Sequence, residues 1–246
     1  MVRSLPPIRR TSNALGALRL VFTFPLAFAL ALSAPVLSGC PAQGMVRPEL
    51  TQAATSALTL SDALEELIKE GKDTQADREA AYDLVQTLPS ETAGDAFGRA
   101  AIAGRLAEKK GALAIFGPDS PTSLAAEVEQ YARKSRKLDP AFRQGAAARM
   151  LGTLYVMAPT GTFEGITSED GLEILEHLVK ESPDVAENQL RMAEAYIAQR
   201  DKDAAREPIC VAIAKRASLR KDEALLLDKL AKDIEGLDCK AAPPPP

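Results

Sequence analysis

The chain has no tryptophan, a single histidine (His177) and three cysteines among its 246 residues. One histidine excludes a multi-histidine metal site, and any Ser-His-Asp arrangement not built on His177. No Gly-rich phosphate loop and no metal-type cysteine cluster occurs. Glu65-Glu66 and Asp222-Glu223 are the adjacent carboxylates, but neighbours along a helix do not converge on one point. No segment alternates apolar and polar residues as a strand does, so the fold class reads as all-α. A basic face is also missing, which argues against a nucleic-acid partner. No catalytic set, metal site or cofactor motif emerges, and the chain does not read as an enzyme.

The N-terminus is informative. Residues 1–19 carry four arginines and no acid, and an apolar run, LVFTFPLAFALALSAPVL, fills residues 20–37. Leu37-Ser38-Gly39-Cys40 follows at once. A basic region, an apolar core and small residues before a cleavage point define a secretory signal peptide over residues 1–39. The run approaches transmembrane length, but Pro25 and Pro35 interrupt it. Leu37-Ser38-Gly39-Cys40 resembles the lipobox of bacterial lipoproteins, which implies that Cys40 is acylated and becomes the first residue. The implied location is the bacterial cell envelope, facing the periplasm, with inner and outer membrane both open. Loss of residues 1–39 removes four positive charges and takes the net charge from −4 to −8. Such an acidic chain is held at a membrane by its acyl group rather than by polybasic attraction.

Residues 40–56 read as an acylated tether, residues 57–236 as a helical repeat domain, and residues 237–246 as a disordered Pro-rich tail ending in AAPPPP. Within the domain, Ser61 is expected to cap a helix that Gly71 ends. Further helices are expected over about 75–88, 92–114, 122–138, 141–157, 169–181, 184–199, 203–216 and 221–235. Their ends are marked by Pro89, Phe116-Gly117-Pro118, Pro140, Pro159, Pro183 and Gly236. Short connections make antiparallel hairpins stacked in series.

The clearest unit spans residues 187–215. Met192-Ala193 precedes Tyr196 by four and three residues, and Ala205 lies nine residues beyond Tyr196. The preceding unit repeats the pattern with Leu151-Gly152, Tyr155 and Gly171. There the interval from tyrosine to small residue is sixteen, so seven residues are inserted. Phe97-Gly98 with Ala132, Ser135 and Pro140 marks a degenerate earlier unit. This spacing resembles the tetratricopeptide repeat and gives an architecture of tetratricopeptide-like stacked helical hairpins. An Ala-rich helical bundle is the alternative.

The insertion, APTGTFEGITSED at residues 158–170, lies between the two helices of one hairpin. Pro159, Gly161 and Gly165 stop helix continuation and permit tight turns. Phe163 between them has two readings: with Tyr155 and Met157 it lines a ligand or partner surface, or it folds back as a lid on the core. Over residues 141–216 the chain resembles the T-component lipoproteins associated with TRAP transporters. The resemblance rests on Leu-Gly-x-x-Tyr ending a helix, the Ala-Pro and glycines of the loop, Pro183, Glu187-Asn188 and Ala193-Glu194-Ala195-Tyr196. Where members carry tryptophan in that loop, this chain has Phe163. The resemblance implies a lipid-anchored, periplasm-facing homotrimer that docks a soluble ligand-binding protein and passes on an apolar small molecule. A second class stays open: a structural adaptor in envelope assembly whose concave face holds a protein or peptide.

With Cys40 acylated, Cys210 and Cys239 are an even pair in an oxidising compartment. Chain reversal at Gly236 makes a disulfide between them feasible, and two buried thiols are the alternative. His177 belongs with Glu173 and Glu176 on a solvent-facing side of its helix.

Overall fold

The computed structural model describes residues 46–110 and 124–239. The segment read as a signal peptide, Cys40 and the AAPPPP end lie outside these residues, as does the break expected at Phe116-Gly117-Pro118. The described residues form ten α-helices and no strand.

The first helix is unexpected. Pro48–Ala53 (α1) lies inside the stretch read as tether. Pro48 opens it with a pre-set φ and no amide hydrogen to satisfy. Leu50 is fully buried against the next two helices, so the tether is folded into the domain from Pro48 onward. α2 (Ala57–Lys69) is capped by Ser56, not by Ser61. Ser56 Oγ accepts from the Thr59 amide at 3.1 Å, and Thr59 Oγ1 accepts from the Ser56 amide at 3.2 Å. Ser61 lies within the helix and is buried. Threonine at the third helical position completes the capping box here in place of the usual Glu or Gln.

α3 spans Gln75–Val85, α4 Ala93–Lys110, α5 Leu124–Leu138 and α6 Ala146–Met157. α7 spans Ser168–Glu181, α8 Ala186–Ala198, α9 Arg206–Ala214 and α10 Lys221–Lys232. They pair as four hairpins, α2/α3, α4/α5, α6/α7 and α8/α9, with α10 after the last. Each second helix also packs on the first helix of the following unit, and α6 packs on α8 as α8 does on α10. The result is the expected all-α stack of helical hairpins.

α6 begins five residues later than the sequence suggests. Arg143, Gln144 and Gly145 hold φ of 47°, 55° and 78°, so the chain makes a left-handed turn before the helix. Arg143 there makes a two-pronged ion pair with Asp62 of α2 at 2.8 and 2.7 Å. Gly145 is the residue type that this φ favours, and a Cβ there would also stand 2.3 Å from Leu178 Cδ1, which would have to shift.

Small residues set the helix spacing. A Cβ on Gly171 would lie 2.7 Å from the Gly152 carbonyl oxygen, and one on Gly98 would lie 2.3 Å from the Ala57 carbonyl oxygen. α6/α7 and α2/α4 therefore cross at backbone contact. Leucines fill what the small residues leave open. Leu60, Leu64, Leu151, Leu175, Leu190 and Leu227 are essentially inaccessible, each contributing about 1.5–3 kcal/mol by its burial.

The first and last units meet through charge. Arg105 of α4 donates to both oxygens of Glu65 in α2, at 2.6 and 2.9 Å. Arg220, preceding α10, donates to the same carboxylate at 2.5 Å across 155 residues of sequence. Burial works against the Arg105 charge, but Glu65 and Glu108 outweigh it and hold the guanidinium more basic than usual.

A cleft between adjacent hairpins

The three residues singled out in the sequence, Tyr155 and Met157 of α6 and Phe163 of the loop, do not line one surface. Phe163 folds back onto Tyr155, with ring centroids 5.3 Å apart in an edge-to-face arrangement, a preferred aromatic geometry. Both rings are buried, in a cluster with Ala125 and Ala132 of α5 and Leu151 of α6. Met157 is 51% exposed. Gly161 and Gly165, with φ of 85° and 69°, shape the loop that carries Phe163 back, and Thr167 caps α7 where the loop ends. The insertion is thus a lid on the α5–α6–α7 core.

Beneath the lid, the Tyr155 hydroxyl donates to Glu129 at 2.8 Å and accepts from Arg133 Nε at 2.9 Å, both on α5. Burial, then the Glu129 carboxylate, pushes the Tyr155 hydroxyl well above the usual tyrosine range.

One hairpin later the corresponding place is open. A cleft of about 350 Å³ lies between α7 and α9, with α8 at its base. Val179 of α7 and Val211 of α9 form opposite walls, and Met192 and Tyr196 of α8 line the base. Met192 is buried, whereas Tyr196 is half-buried. The Tyr196 hydroxyl donates to Glu176 of α7 at 3.1 Å. Burial, then the bond to Glu176, pushes it up to about 12.

Local chemistry builds the walls. Gln189 Nε2 donates to the Pro183 carbonyl at 2.8 Å, which fixes the α7–α8 connection at one end of the cleft. Pro208 occupies the third position of α9, where no amide hydrogen has a helical partner. Lys180 and Glu207 are exposed at the rim. The connection from Gln199 to Ala205 contains no aromatic residue, so this loop carries nothing like Phe163 back over Tyr196. That absence was the available sequence signal for the cleft.

Cys210 of α9 is joined to Cys239 by a disulfide, which ties α9 to the chain beyond α10. His177 is exposed, with Nδ1 3.3 Å from Glu181 one turn on. Among the described residues no group of His, Cys, Asp and Glu is placed to hold a metal ion, and no helix is long and apolar enough to cross a membrane. No protein-family model matches the chain, and no curated protein matches it. What the fold and the cleft define is a stack of helical hairpins with an apolar recess between its last two.

Proposed function

We propose that this chain is a non-catalytic binding component of the bacterial envelope. Its leader is removed, Cys40 is acylated, and the helical domain faces the periplasm. There it assembles as a trimer, docks a soluble ligand-binding protein and passes on an apolar small molecule, as the resemblance to TRAP-associated T-component lipoproteins implies. The α7–α8–α9 cleft carries the reading. It is concave, apolar at base and walls, and within the size range of small-molecule sites. The adaptor alternative would hold a protein or peptide on a concave face of the stack.

Native mass spectrometry of the 246-residue chain, extracted from expressing bacterial membranes in a removable detergent, tests this reading. A trimer carrying acyl mass and extra small-molecule mass is the expected result. A monomer without bound mass would contradict it, as would unchanged membrane partition of Cys40→Ser.

A further inference from the structure

We propose that the cleft beside Tyr196 binds a neutral small molecule bearing an aromatic ring, which takes the place at Tyr196 that Phe163 takes at Tyr155. The inference rests on the binding-component reading and names its ligand class.

The two sites are repeats of one another. Leu151-Gly152 stands before Tyr155 as Met192-Ala193 stands before Tyr196. Each tyrosine hydroxyl donates to a carboxylate on the second helix of the preceding hairpin, Glu129 at 2.8 Å and Glu176 at 3.1 Å. At Tyr155 the chain supplies a phenyl ring edge-to-face and the tyrosine is buried. At Tyr196 the short connecting loop supplies no ring, and the tyrosine borders a cleft of about 350 Å³. The same fold therefore demonstrates in one hairpin what kind of group satisfies this tyrosine.

The lining narrows the class. Met192, almost fully buried, closes the base, and a methionine side chain makes favourable contacts at ring edges. Val179 and Val211 line its two sides with apolar side chains. The charged lining is two carboxylates, Glu176 and Glu207, against one cation, Lys180, so an anion is disfavoured and the apolar base and walls suit a neutral ring. The volume lies at the low end for ligand pockets, which suits one ring or two fused rings.

Indole is a suitable probe, because a chain without tryptophan leaves the indole emission uncontaminated. Titration of indole into the 246-residue chain should give saturable binding at one site per protomer. Cyclohexanol, apolar but not aromatic, should compete at least about tenfold more weakly, a difference of about 1.4 kcal/mol. Val211→Phe places a ring in the cleft from α9 and should abolish binding. Tyr196→Ala should weaken it at least about tenfold. Phe163→Ala reopens the matching place at Tyr155 and should add a second indole site. Absence of saturable binding would overturn the proposal. So would binding that Val211→Phe leaves intact, or equal competition by cyclohexanol. A trimer that fails to bind indole would sink this inference alone. A monomer that binds indole at Tyr196 would sink the transport-component reading and leave the site standing.

Discussion

The α6/α7 and α8/α9 hairpins start from nearly the same spacing and end differently. In α6/α7, seven extra residues carry Phe163 back over Tyr155, and the space between α5 and α7 closes. In α8/α9 the short connection turns the chain directly, and the space between α7 and α9 stays open. Helix spacing is set by small residues in both, Gly152 and Gly171 in one, Ala193 and Ala205 in the other. The difference teaches that in this stack the place beside the recurrently spaced tyrosine is closed where a loop fills it and open where the loop is short. Filling stabilises; leaving it open creates a place for something else.

The comparison can be broken at several points. The largest effect should come from the disulfide, which restrains only the open hairpin. Replacing Cys210 and Cys239 together by serine should cost about 3–4 kcal/mol in the chain-entropy treatment of a closure spanning 29 residues. Urea denaturation measures this, and hydrogen exchange should quicken in α9 and α10 more than in α6 and α7. Phe163→Ala should cost about 3 kcal/mol, the low end for a buried phenyl because a loop can partly collapse. Saturating indole should recover part of that loss, which a thermal melt reads directly.

Gly171→Ala should destabilise by about 1–3 kcal/mol, since the added methyl meets backbone that cannot swing aside. Ala193→Gly, in the open hairpin, should cost about 1–2 kcal/mol, from helix propensity and the loss of a buried methyl. The smallest effect belongs to Tyr196→Phe, about 0.5–1.5 kcal/mol for one hydrogen bond. In the folded protein the Tyr196 hydroxyl is pushed up to about 12, so its neutral form is favoured by folding. That contribution is complete below the ordinary tyrosine value near 10 and is lost as pH rises through about 12. An ultraviolet titration should therefore show a tyrosinate component at about 12 that disappears in Tyr196→Phe.

Much of the fold was legible because punctuation and periodicity agree. Pro140 and Pro183 follow the ends of α5 and α7, and the tyrosine-to-small-residue spacing locates the paired helices. Starts were harder. Ser61 precedes an acidic, helix-rich stretch and looks like a cap, but the box formed by Ser56 and Thr59 begins the helix a turn and a half earlier. α1 is too short to show periodicity, and only its contact with α2 and α3 explains why Leu50 is buried. The turn before α6 depends on Arg143 reaching Asp62, which is 81 positions away and invisible to local patterns.

The site was legible in part. Phe163 stands out as a ring between glycines, and the sequence left its two roles open; packing against Tyr155 makes it a lid. The disulfide was feasible from cysteine number and the turn at Gly236, and the structure closes it. The cleft at Tyr196 was not foreseen, because its walls come from three helices and its cause is a missing residue rather than a present one.

The most direct test of this account uses the methionine methyl groups. The chain has five methionines, of which Met192 lines the cleft while Met150 packs in the closed hairpin's core and Met157 is exposed. With methyl-labelled methionine, adding indole should shift the Met192 resonance and leave those of Met150 and Met157 in place. A shift at Met150 or Met157 without one at Met192 would contradict the assignment of closed and open hairpins.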